Sequence, residues 1–197
     1  MRWRENLLTK PDFTAFSFSN STETITNSEV AKFASALSLF LGSQGYPRTQ
    51  IVGVLHDQSP EAYLTQAALF LLGFPFVNID PDSPGNRLLR VKQKLGLEIV
   101  FCSDVIAPNL SHFNAQPFLK RRAIVAIPVP DWNIVSAAES DLAYVVLTSG
   151  STGEPKAVQI THNNIDHFVE WAEEAFALTP ADVFSTLNPP YFDNAVF

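Results

Sequence analysis

"TQIVGVLHDQSPEAYLTQAALFLLGFPFVNID", residues 49–80, decides the fold class. Thr49 to Asp57 is a short β-branched run closed by Ser59-Pro60, the make-up of a buried strand. Pro60 then falls near a helix N1 position, where its missing N–H costs nothing, and an apolar stretch runs on to a stop at Gly73. "PFVNID" reads as a second strand. Strand, helix and strand in this order predict a parallel pair joined by a crossover helix.

Outward from this unit the pattern repeats. "GNRLLRVKQKLG" (85–96) reads as a helix and "LEIVFCS" (97–103) as a strand. Upstream, Val30, Phe33, Ala34, Leu37 and Leu41 recur at helical spacing, with Asn27 or Ser28 as cap and Gly42 as stop. Downstream, 105–121 has no period and reads as loop or short helix, and "RAIVAIPVP" (122–130) reads as a strand. After a polar connection, "LAYVVLTS" (142–149) is continuous enough for a central strand, and "AVQIT" (157–161) follows as another. Thr161 caps a helix with Ile165, Phe168, Val169, Ala172 and Phe176 on its apolar face; "DVFSTL" (182–187) reads as a last strand. The expected fold is α/β: a mainly parallel sheet flanked by helices on both faces.

Bulk properties narrow the function. Hydrophobic residues make up 46% of the 197 positions and charged residues 17%, a globular composition. Net charge is −7 with no basic block, so neither nucleic acid nor an anionic membrane is the expected partner. Cys102 stands alone and excludes an internal disulfide; with no Cys/His spacing for zinc, no metal site is expected. "MRWRENLLTKPD" turns polar too early for a signal peptide, and "AALFLLGFPFV" is too short to span a bilayer, so a cytoplasmic protein is expected.

The chemistry concentrates in "VVLTSGSTGEPKAVQIT", residues 145–161. Thr148, Ser149, Ser151 and Thr152 supply hydroxyls, and Gly150 and Gly153 allow the positive φ that turns backbone N–H groups inward. Lys156 adds a cation on a long stem. Such a segment suits a polyanion, though its composition alone equally suits a plain surface hairpin. The Walker pattern fails, because Gly153 is followed by Glu-Pro-Lys-Ala. The nucleophile elbow fails too, because Leu147 lies two residues before Ser149 and Ser149 two before Ser151. His56, His112, His162 and His167 show no spacing for a metal or a triad.

The ordered string "YVVLTSGSTGEPKAVQITHNNI" (144–165) resembles the phosphate-binding loop of the adenylate-forming, or AMP-binding, superfamily. The likeness covers essentially the whole chain. "TETITNSEVAKFASALSLFL" (22–41) is similar to the family's early helix region. "GFPFVNID" (73–80) stands where the family has "GAAYVPLD", and "PPYFDNAVF" (189–197) resembles the F-D-x-S-V motif of the amino-acid-activating branch. Within that branch the surroundings of Asp193 are most similar to D-alanine–carrier-protein ligases and nonribosomal-peptide-synthetase-like adenylation domains.

The resemblance implies that residues 1–197 are the N-terminal part of an adenylation domain. It implies ATP and Mg²⁺ as cofactors, with Thr148, Ser149, Gly150, Ser151, Thr152, Gly153 and Lys156 on the nucleotide phosphates. It implies an amino-acid substrate whose α-ammonium group pairs with Asp193, and a carrier protein with phosphopantetheine, or CoA, as thiol acceptor. Ala157 replaces a common glycine and Ala195 the motif serine, marking a divergent member. The family's later adenine, ribose and lid motifs find no counterpart, and the chain stops on Val196-Phe197 within an apolar run. The expectation is therefore a truncated chain, inactive by itself, that self-associates as a homo-oligomer through exposed apolar surface. Two alternatives are an acyl- or aryl-acid ligase fragment and a non-catalytic stand-alone lobe.

Overall fold

The computed structural model describes residues 7, 9–19, 22–104, 113–124, 141–149, 155–179 and 181–192. A short antiparallel hairpin, β1 (Thr14–Ser17) and β2 (Thr24–Thr26), leads into helix α1 (Asn27–Ser43). Then follow β3 (Val52–Leu55), α2 (Pro60–Leu72), β4 (Phe76–Ile79), α3 (Gly85–Leu95) and β5 (Ile99–Cys102). The remaining elements are β6 (Asn114–Pro117), α4 (Arg121–Ile124), β7 (Leu142–Ser149), β8 (Pro155–Thr161) and α5 (His162–Ala175).

Six strands form one sheet in the order β6-β5-β3-β4-β7-β8. All neighbours run parallel except β7 and β8, which run antiparallel. This is the expected α/β architecture, and its logic is local. Ser59 caps α2 through its hydroxyl with Pro60 in the first turn, and Gly73 ends it in the left-handed conformation at φ 70°. The chain then steps one place across the sheet to β4, while the connection through α3 returns past β3 to β5. Two crossovers of one hand in opposite directions put their helices on opposite faces.

Side-chain alternation keeps the two faces apart. Val52, Val54, Phe76, Ile99, Phe101, Tyr144 and Val146 belong to the larger core with α1 and α2. Leu55, Val77, Ile79, Val100, Cys102 and Val145 form the second core with Leu88 and Val91 of α3. Gly53 lies where a Cβ would stand 2.9 Å from Cγ2 of Val100, so the β3–β5 contact depends on the missing side chain.

Several expectations require correction. Helix α1 is capped by Thr26, which forms a reciprocal box with Glu29, and it runs past Gly42 to Ser43. The stretch expected as loop contains β6, which pairs parallel to β5. The expected strand 122–130 begins inside the helical turn of α4, which Arg121 ties to Glu29 of α1 at 2.7 Å; its residues 125–130 lie outside the described residues. Residues 182–187 form no strand: they pair with no described strand, and Val183, Phe184 and Leu187 are exposed. A β-run without a neighbour has no ladder to hold it extended.

Candidate functional site

Strands β7 and β8 pair from Leu142↔Thr161 to Ser149↔Pro155, and residues 150–154 join them. Thr148 lies directly opposite Lys156. Partners directly opposite share a face, with Cβ atoms about 5 Å apart. A half-buried hydroxyl residue and an exposed cationic one therefore stand side by side at the mouth of the turn. Ser149 is placed by its backbone pairing with Pro155. Gly150, Ser151, Thr152 and Gly153 lie outside the described residues, as does Asp193.

The sheet places this mouth at a topological switch point. Strand β7 lies parallel to β4, with Phe76↔Tyr144 and Val77↔Val145 in register. From its carboxyl end β4 leads back across the sheet to β5, whereas β7 leads outward to β8. Connections that diverge at the carboxyl ends of adjacent strands leave a crevice, the usual ligand site of open α/β sheets.

The segment leading into Asp193 lies at the same place. Asn78 of β4 is 6% exposed, and its Nδ2 donates to the carbonyl of Pro190 and to Oε1 of Gln66, each at 3.1 Å. Asn78, Tyr144 and Val146, with Pro190, Tyr191 and Phe192, border a small cavity of about 10 Å³, room for one water. By strand alternation Tyr144, Val146 and Thr148 point to one face. The ladder stem and the residues just before Asp193 thus share that face. The Tyr191 and Phe192 rings pack at 5.3 Å, and Phe192 is 52% exposed. Burial raises the Tyr191 phenol pKa, and the Asp80 and Asp82 carboxylates after β4 raise it further.

Asn78 escaped the sequence reading, yet a signal was there. It is the one strongly polar residue inside "PFVNI", at a position where the resembled motif has proline.

His56, His162 and Cys102 are buried in the fold. His56 is fully buried at the end of β3, where its Nδ1 accepts from the Gln58 N–H at 3.2 Å and its ring meets Tyr63 edge-on at 4.6 Å. Burial pushes its pKa down to about 4, against weaker upward pulls from Asp57 and Gln66, so the ring is neutral at pH 7. His162 is buried at the start of α5 with Phe70 at 5.0 Å, and His167 is exposed; His112 lies outside the described residues. Cys102 is a buried strand residue whose thiol donates to the Gln116 carbonyl at 3.8 Å, and burial lifts its pKa to about 11.

A family model described as AMP-binding enzyme matches residues 3–197. One of the linear gramicidin synthase proteins of Brevibacillus parabrevis is 32% identical over 158 residues, 79% of this chain and 3% of that protein. Zwittermicin A synthase ZmaJ of Bacillus cereus is 26% identical over 195 residues, 99% of this chain and 37% of that one. The Klebsiella oxytoca NpsA N-terminal subdomain, solved in complex with 3-hydroxyanthranilyl-AMSN, matches with a TM-score of 0.76 at 25% identity. That match covers 96% of this chain and 46% of the NpsA chain. The chain therefore spans less than half the length of each of these proteins.

Proposed function

The chain belongs to the AMP-binding enzyme family, and on that premise we propose that it carries the phosphate-binding part of an ATP-dependent ligase that activates an amino acid. Its fold is that of the N-terminal subdomain of adenylate-forming enzymes. The observation that carries the reading is the pairing of Thr148 with Lys156 at the carboxyl edge of the sheet, with Pro190–Phe192 held on the same face.

The reaction joins a substrate carboxylate to AMP. A carboxylate oxygen bonds to the α-phosphorus of ATP, the bond from that phosphorus to the bridging oxygen breaks, and pyrophosphate leaves with the electron pair. A carrier pantetheine thiol then attacks the acyl carbon, forms the thioester and releases AMP. Lys156 offsets charge on the phosphate oxygens, and Thr148 with Ser149, Ser151 and Thr152 donates hydroxyl hydrogen bonds to them. Gly150 and Gly153 leave the backbone free to turn its N–H groups toward the anion. Asp193 pairs with the α-ammonium group of the amino acid.

A hydroxyl and an ammonium side by side fit a phosphate group. Mg²⁺ when bound would neutralise triphosphate charge. Among the described residues no three His, Cys, Asp or Glu side chains cluster to hold a metal ion. No described helix is long and apolar enough to cross a membrane.

The test is Asp193→Ala in the complete ligase, read by ATP–pyrophosphate exchange. Loss of a shielded charge-assisted pair lowers kcat/KM for the amino acid by roughly 30- to 1,000-fold while KM for ATP stays put. Unchanged amino-acid activation, with a des-amino acid accepted equally well, would overturn the choice of substrate. A second reading, an aromatic-acid ligase, is favoured by the 3-hydroxyanthranilyl-AMSN bound to the NpsA subdomain, and the same assay separates the two.

A further inference from the structure

We propose that Asn78 is a positioning residue: its side-chain amide clamps the carbonyl of Pro190 to β4 and so fixes the path of the chain into Asp193. The inference rests on the substrate role given to Asp193 above.

The strand around it is apolar, with Phe76, Val77 and Ile79 all buried, and a valine or leucine would satisfy the packing at position 78. A buried amide is costly unless it is bonded. Both donors of Asn78 are used, one on Gln66 of α2 and one on Pro190. The Pro190 carbonyl can only accept, which settles the orientation of the amide: nitrogen toward Pro190, oxygen away. That oxygen has no hydrogen-bond partner among the described residues.

The bond it makes is long-range. It joins residues 112 apart in sequence, and what it holds follows immediately on the unpaired, exposed run 182–187. A Phe192 N–H to Pro189 carbonyl bond of 3.0 Å closes a turn around Pro190, so a tie at that carbonyl restrains the whole turn. Asp193 is the next residue along. Proline at position 78, as in the resembled motif, offers no side-chain donor. The clamp is therefore a feature of this chain.

The experiment has two arms. Asn78→Val removes the donors in a β-branched residue of similar size, and Gln66→Met removes the other acceptor while leaving the Pro190 bond. Asn78→Ala, which removes both donors and under-fills the site, serves if Asn78→Val does not fold. The first arm is chymotrypsin cleavage after Tyr191 and Phe192, read by mass spectrometry: at least tenfold faster for the Asn78 variant and unchanged for Gln66→Met. The second arm is steady-state kinetics of the complete ligase: KM for the activated carboxylate rises at least tenfold, and KM for ATP moves less than twofold. Unchanged cleavage overturns the clamp. Faster cleavage with neither KM moved, or with both moved equally, overturns the positioning role. The kinetic arm is run with whichever carboxylic acid the unmodified ligase accepts. Acceptance of a des-amino acid in place of an amino acid thus defeats the substrate assignment while both arms still decide on Asn78.

Discussion

Thr148 and Lys156 face each other one rung before the β7–β8 ladder ends. The ladder fixes both backbones, so in the proposed phosphate-binding role only the lysine side chain would need ordering on binding.

Lys156→Ala in the complete ligase should raise KM for ATP by about tenfold, or about 1.4 kcal/mol, because backbone N–H groups and the metal share the phosphate load. KM for the acid substrate should not move. An equal rise in both would argue that the lysine serves the fold or the acid.

Gly53→Ala should destabilise the chain by about 1–3 kcal/mol, since its new Cβ meets Val100 in a packed core. Urea unfolding measures the loss. Combining it with Val100→Ala should cost less than the sum of the two single changes, because the second opens the space the first needs. Strict additivity would show that the contact is not the cause.

His56 predicts an acid-sensitive fold. Its pKa is about 4 in the folded chain against 6.5 ordinarily. Between those values the unfolded chain binds the proton and the folded chain does not. Its contribution is present above about pH 6.5 and is lost as pH falls toward 4, about 3 kcal/mol in all. The native chain should lose stability relative to His56→Phe, read from denaturant midpoints, as pH falls through this window. Parallel profiles would rule the histidine out.

Helix α5 shows what its sequence pattern left open. Ile165 packs against the larger core, but Phe168, Val169 and Phe176 of the expected apolar face are exposed, and Trp171 packs with Phe168 and Phe176 on the surface. Taken alone, the 197-residue chain should self-associate in sedimentation, and Trp171→Gln with Phe176→Ser should weaken it. A native chain that stays monomeric at high concentration would refute this.

The central units were legible because a buried parallel strand is a continuous apolar run and its helix is bracketed by Pro60 and Gly73. Strand β6 was not: Asn114, Gln116 and Pro117 have poor β propensity and are tolerated there because β6 lies at the sheet edge, so only the neighbour β5 makes it a strand. The opposite error at 182–187 has the same origin, since apolar β-formers become a strand only beside a partner. Of the site, residue types singled out the 148–156 segment, whose residues 150–154 lie outside the described residues. Asn78 was not legible, because its role depends on a bond to a residue 112 positions away.

The two walls of the candidate site differ in how far the chain must travel to build them. Thr148 and Lys156 are near neighbours in sequence, so closing their ladder has a small entropy cost and proceeds within about 10 μs. The β4–β7 seam pairs Phe76 with Tyr144, and among the described residues two helices and two further strands must find their places between them. Such non-local pairing is slow. During refolding, the hairpin amides should gain protection from pulsed hydrogen exchange before those of β4, and the reverse order would contradict this. The β7–β8 stem is then a local product of the chain, and the crevice beside it exists only once the sheet has closed.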